Sequence, residues 1–378
     1  MYNLNHIFKE KRSCSTSLDN LLNVEKKYIK KIKKKYTDIY FIHNKQSFII
    51  DINNNYFFNI TSHSYIIFPK QSKQNLLLIH GTNSGPSIWF ETASVLAEKG
   101  YIVHCISLPG FGGSTVSDKL LNFTAIEILT FYSNYIAEYI VNNIGKHNPP
   151  QIVSHSFGSY IASFFASKYP NLCKSNTIIN GSVFNIFGKD VFYWGLLFKL
   201  GFPNSYTKKI GYIINFLFFT YYYLTSEKNL LRYINVLEMT CRENIGELIL
   251  SKLIHYENNR LKMYVTIFPY MVTTKNYPSM SIICGENDSM YCSEFLSNFF
   301  IEKNIIKIKS DHNPIPNPDF STYLLKAIEN TSKIIYLDKF DELMEISNKA
   351  YSTYSLKETE EIINNTYRLF LRLFDIKI

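Results

Sequence analysis

The chain has 378 residues, 46% of them hydrophobic and 19% charged, which allows a full-sized core and excludes wholesale disorder. Its 40 Lys and Arg outnumber its 31 Asp and Glu, giving a formal net charge of +9. That balance suits anionic membranes or nucleic acid, but a bias toward Lys, Asn and Ile would produce it without any partner.

Six cysteines, Cys14, Cys105, Cys173, Cys241, Cys284 and Cys292, lie without CxxC spacing. They outline neither a zinc site nor the disulfide framework of a small secreted domain. The first residues lack an apolar h-region, so no secretory signal is expected, and an organelle transit peptide is the weaker alternative. A reduced, cytoplasmic setting is the expectation. No run reaches the roughly 18–20 apolar residues that span a bilayer. The longest, from Ile210 to Leu224, is flanked by Lys208, Lys209 and Lys228.

In chain order, Leu18 to Ile32 has helical spacing, with Leu18, Leu21, Leu22, Ile29 and Ile32 as its apolar positions. Lysines crowd the remaining positions from Lys26 to Lys35. They would draw the helix to an anionic membrane surface, or form an ordinary solvated face. Three strand-like runs follow, Ile39 to Ile42, Ser47 to Ile52 and Ser64 to Phe68, punctuated by Asn53, Asn54 and Asn55. They predict an antiparallel entry to a sheet.

The pattern then changes. Asn75 to Gly81 is a continuous apolar run ending in glycine, as in a strand buried on both faces of a parallel sheet. Helical stretches at Ser87 to Lys99, Thr124 to Ile144 and Phe157 to Lys168 alternate with strands at Tyr101 onward, Gln151 to Ser154 and Asn176 to Asn180. This predicts a doubly wound α/β sheet. Alternation stops between Val183 and Asn276, an aromatic, helical stretch. It resumes with a strand at Ser279 to Gly285, a helix from Ser293, a strand at Asn304 to Ser310 and a helix from Phe320. The expected organisation is a basic helical extension (1–37), a core in two parts (38–182 and 277–332), a helical insertion (183–276) and a helical C-terminal extension (333–378).

The most specific string is SHSFGS, Ser154 to Ser159, between a buried strand and a helix. A serine on such a turn is held outward in a strained elbow, with small residues two positions either side, here Ser154 and Gly158. The helix start behind Ser156 offers free N–H groups to a developing oxyanion. The strand end at His80 and Gly81 brings a second loop to the same place, so Thr82 and Phe157 N–H form a two-donor oxyanion hole, with Asn83 as the fallback donor.

Ser156 needs a base and the base an orienting acid. His6, His43, His63 and His147 lie early or in polar loops, His255 in the insertion, and His104 on a core strand. His155 adjoins the serine, where neighbouring side chains point apart. His312 follows the last sheet strand and is the chosen base. Asp288, just past the preceding strand, is the chosen acid, with Glu286 and Asp311 as competitors.

These strings, with LPGFGGS at Leu108 to Ser114, GENDSM at Gly285 to Met290 and DHNP at Asp311 to Pro314, resemble the α/β-hydrolase superfamily over roughly residues 60–330. The nearest resemblance is to its esterase, lipase and lysophospholipase group, whose helical cap follows the sixth strand. The resemblance implies Ser156 as nucleophile, His312 as base, Asp288 as acid and Thr82 with Phe157 as oxyanion donors. It implies ester hydrolysis on a small-molecule or lipid substrate, without cofactor or metal. A serine at position 156 disfavours the epoxide hydrolase and dehalogenase branches, which use aspartate there. Ser154 departs from the usual glycine, which keeps open an inactive binding or scaffold protein on the same fold. Nucleic-acid binding has only the Lys26 to Lys35 stretch behind it and is not expected.

Overall fold

The central strands here are buried at nearly every position, as the apolar run at Asn75 to Gly81 shows best, because a parallel sheet is covered on both faces. The computed structural model describes residues 14–52, 56–72, 74–82, 84–181, 246, 249, 253, 277–288, 305–317 and 319–331. Eight strands form one sheet: β1 (Ile39–Asp51), β2 (Phe57–Pro69), β3 (Gln74–Ile79), β4 (Tyr101–Ile106), β5 (Gln151–His155), β6 (Ser175–Ile179), β7 (Ser279–Gly285) and β8 (Ile305–Ile308). Their order is β1-β2-β4-β3-β5-β6-β7-β8. The β1–β2 and β2–β4 pairs are antiparallel, and every pair from β4 to β8 is parallel.

The helices are α1 (Cys14–Lys35), α2 (Phe90–Glu98), α3 (Ala125–Asn143), α4 (Phe157–Lys168) and α5 (Phe320–Glu329). Strand β3 shows how the layers form. Leu77 and Ile79 join one core with Tyr132 and Tyr135 of α3 and Phe165 of α4. Leu76 and Leu78 join the opposite core with Ile32 of α1, Phe90 of α2 and Leu324 of α5. The period-2 alternation of a strand thus feeds two cores at once. Helix α3 starts at a capping box, Thr124 Oγ1 accepting from Glu127 N–H while Glu127 accepts from Thr124 N–H.

Two expectations are corrected at the N-terminal side. The runs at 39–42 and 47–52 are one continuous strand, and His43 and His63 sit on β1 and β2 rather than in loops. The polar residues between the runs find partners, which removes the cost of placing them in a sheet. His43 stacks on Tyr65 and lies 3.1 Å from His63, while Asn143 of α3 bonds both Asn44 and Gln46.

Helix α1 buries Leu21, Glu25, Tyr28 and Ile32 against this hairpin and α2. Lys26, Lys27, Lys30, Lys31, Lys33, Lys34 and Lys35 are exposed. Glu25 accepts a 2.7 Å hydrogen bond from Tyr65 Oη, and burial pushes its carboxyl up to about 7.

No helix among the described residues is long and apolar enough to cross a membrane. The insertion expected at 183–276 and the extension at 333–378 lie outside the described residues, except for Gly246, Ile249 and Leu253, which are helical. Ile249 and Leu253 are buried in the same core to which α3 and α4 contribute.

Candidate active site

The carboxyl ends of the parallel strands open on one edge of the sheet, where ligands bind in open α/β folds. Ser156 stands there between β5 and α4 with φ +52° and ψ −122°. A non-glycine residue in that region is strained and must be over-determined by its surroundings. Ser156 N–H donates to Ile179 O, Ser159 N–H donates to Ser156 O, and Ser159 Oγ donates to Ser154 O. Ser154 and Gly158 flank it with little bulk. A Cβ at Gly158 would collide with the His80 carbonyl oxygen, so helix and strand meet in a space only glycine leaves. Ser154 is fully buried, its hydroxyl 3.4 Å from Thr177 O.

His312 lies in the loop after β8, with Nε2 2.8 Å from Ser156 Oγ. Its Nδ1 lies 3.1 Å from both carboxylate oxygens of Asp288, in the turn after β7. With Nδ1–H donating to the carboxylate, Nε2 is left as an acceptor facing the serine hydroxyl. The Asp288 side chain is 2% exposed and that of His312 21%, so the acid is shielded while the imidazole stays open. The two competing acids lie elsewhere. Asp311 Oδ1 accepts from Asn313 N–H within its own loop, and Glu286 is exposed in the turn.

Phe157 is the first residue of α4, so its N–H has no acceptor within the helix. Thr82 follows β3 in a half-buried turn. The backbone leading to it is close, since a Cβ on Gly81 would stand 3.0 Å from Ser156 Cβ. Asn83 lies outside the described residues.

Three residues serve this edge in ways the sequence reading missed. His80 Nε2 accepts from Leu108 N–H and its Nδ1–H donates to Gly81 O, which ties the loop after β3 to the loop after β4. Burial holds it down near 4, so it is neutral. His155 Nε2–H donates to the backbone oxygen of His312 at 2.9 Å. Burial, with the neighbouring His312, lowers it to about 3, so the His155 imidazole is neutral. Asn180, with φ +40°, bonds both the loop of His312 and the end of β7. The string HG pointed to the first of these. Adjacency to the serine argued against the second, and nothing but its place at a strand end marked the third.

Among the described residues no group of three or more His, Cys, Asp and Glu is arranged to hold a metal ion. The arrangement can polarise a serine hydroxyl and pass its proton to an imidazole.

Comparison with known proteins agrees with this architecture. The family model described as alpha/beta hydrolase fold matches residues 74–205. Abhydrolase domain-containing protein abhd-5.2 of Caenorhabditis elegans is 34% identical over 104 residues. That stretch is 26% of this chain and only 21% of the worm protein. A candidate lipase from Acinetobacter baumannii superposes with TM-score 0.50 at 18% identity, over 85% of this chain and 98% of its own. A laboratory-evolved variant of potato epoxide hydrolase superposes with TM-score 0.55 at 15% identity, over 76% of this chain and 99% of its own. At such identities the solved structures speak for the fold alone. Topology, elbow and the match over residues 74–205 converge on one statement: the chain has the α/β-hydrolase fold.

Proposed function

We propose that this protein is a serine hydrolase that cleaves carboxylic esters, with lipids or lysophospholipids as its substrate class. One observation carries the reading: a serine at φ +52° directs its hydroxyl to an imidazole nitrogen 2.8 Å away, whose other nitrogen meets a buried carboxylate.

In the proposed reaction His312 Nε2 takes the Ser156 proton as Oγ attacks the acyl carbonyl. The resulting oxyanion rests on Phe157 and Thr82 N–H groups, and loss of one such donor typically costs about 100-fold or more in rate. The imidazolium gives its proton to the leaving alcohol oxygen, and the ester C–O bond breaks to leave an acyl-serine. Water then adds to that acyl group, losing its proton to His312, and the carboxylic acid leaves as Ser156 recovers its proton. Asp288 holds the imidazole tautomer and stabilises the imidazolium. This chemistry uses no metal or cofactor.

The lipid part of the reading rests on three features. The apolar runs of the 183–276 segment are suited to an acyl chain. The exposed lysines of α1 would hold the protein at an anionic membrane, at roughly 1 kcal/mol per basic residue near the surface. The Acinetobacter neighbour that shares this fold is described as a candidate lipase only. The test is hydrolysis of p-nitrophenyl esters of increasing chain length and of lysophosphatidylcholine, by wild type and Ser156→Ala. Turnover by wild type alone, rising with chain length, is expected. Turnover that survives the substitution contradicts the assignment.

A further inference from the structure

We propose that Asn180 is a positioning residue that fixes His312 against Ser156 by clamping together the backbones that carry the base and the acid. The proposal rests on the serine hydrolase reading and adds to it a residue that touches none of the reacting atoms.

Asn180 directly follows β6, one strand over from the serine, and is 3% exposed. Its backbone N–H donates to Ile283 O of β7. Its side-chain Oδ1 accepts from Gly285 N–H at 2.6 Å, and Nδ2 donates to Asp311 O at 2.8 Å and His312 O at 3.0 Å. Both amide hydrogens and the carbonyl are therefore used, and the orientation of the amide is dictated by two carbonyls on one side and an N–H on the other. Aspartate would set a carboxylate oxygen against those two carbonyls.

The anchored atoms are the ones that matter for aim. Gly285 O accepts from Asp288 N–H, so the grip on Gly285 reaches the turn that holds the acid. On the other side the loop backbone presses on Gly285 so closely that a Cβ there would lie 2.7 Å from the carbonyl oxygens of Ser310 and Asp311. The His312 carbonyl takes two donors, Asn180 Nδ2 and His155 Nε2. His312 lies outside regular secondary structure, so these side chains supply the restraint that a ladder of hydrogen bonds gives elsewhere. A misplacement of about 1 Å in such a group can cost on the order of 100-fold in rate.

Two variants separate the roles. Asn180→Gly keeps the positive φ and removes the clamp; Asn180→Asp keeps size and acceptor and loses the donors. Each is compared with wild type in fluorophosphonate labelling rate, kcat and KM on an ester, the pH profile of kcat, and hydrogen exchange of residues 305–317. The proposal expects labelling and kcat to fall on the order of 100-fold in both, with KM within about twofold. It also expects a displaced pH inflection and faster exchange confined to that loop and the turn at 285–288. Wild-type rates and an unmoved pH profile in the folded Asn180→Asp protein overturn it. So does unchanged loop exchange in either variant. Should wild type itself fail to label at Ser156, the hydrolase reading falls, and exchange still decides whether Asn180 holds the loop.

Discussion

The carbonyl oxygen of His80 occupies the space that a Cβ on Gly158 would need. The end of strand β3 and helix α4 thus touch through backbone, two residues past Ser156. Gly158→Ala must either push the helix off the strand or flatten the elbow, and neither has slack in a fully packed interior. The expected cost is about 1–3 kcal/mol of stability, together with loss of serine reactivity. Thermal denaturation and labelling measured side by side check both parts. An alanine variant as stable and as reactive as wild type contradicts the contact.

Ser154, on the other side of the elbow, predicts a contrasting outcome. Its hydroxyl lies 3.4 Å from Thr177 O and 3.5 Å from Asn176 Oδ1, beyond the usual hydrogen-bond range. Ser154→Ala should change stability by no more than about 0.5 kcal/mol and leave labelling intact. A urea titration of the two proteins decides it, since a large loss would mean that the hydroxyl anchors β5 to β6.

Much of this architecture was legible from sequence for a physical reason. Strands β3 and β7 are covered on both faces, so their apolar runs have no other use, and the turns after β3, β5 and β6 carry glycine or small residues. Ser156 and Asp288 were singled out because each follows a buried strand, and His312 because it follows β8, the last strand of the sheet. What the string did not disclose lies in pairs distant in sequence. His43 and His63 sit in a sheet because they meet each other and Tyr65, and Asn143 supports Asn44 and Gln46 from another helix. The grip of His155 and Asn180 on the His312 carbonyl likewise depends on loops more than 130 residues apart in the chain. Local periodicity carries no trace of such contacts.

Glu25 supplies a stability prediction. Burial raises its carboxyl from 4.5 to about 7, so the folded state binds a proton that the unfolded state has released in that interval. Its contribution is fully present below the unfolded value and is lost as pH rises through about 7. Glu25→Gln, which never ionises, should match wild type near pH 4.5 and be more stable at pH 8, by about 1.4 kcal/mol for each unit of the shift. Melting curves at the two pH values test this. A difference that stays constant or shrinks as pH rises contradicts the protonated Glu25–Tyr65 contact.

Asp288 accepts from His312 Nδ1 with both oxygens. In Asp288→Asn the amide would offer donors where an acceptor is needed, turning the imidazole to the wrong tautomer. Ester turnover should fall about 10⁴-fold with the fold intact. Retention of most activity would pass the role to another carboxylate, with Glu286 and Asp311 the first to be replaced.

The central claim is that Ser156 is an activated nucleophile, and labelling of purified protein by a fluorophosphonate tests it most directly. Such a probe phosphonylates a serine hydroxyl only where a base and an oxyanion site are both in place. Wild type is expected to label at Ser156, with the label gone in Ser156→Ala and sharply reduced in His312→Ala. Folded wild-type protein that remains unlabelled, or a Ser156→Ala protein that still labels, would contradict it.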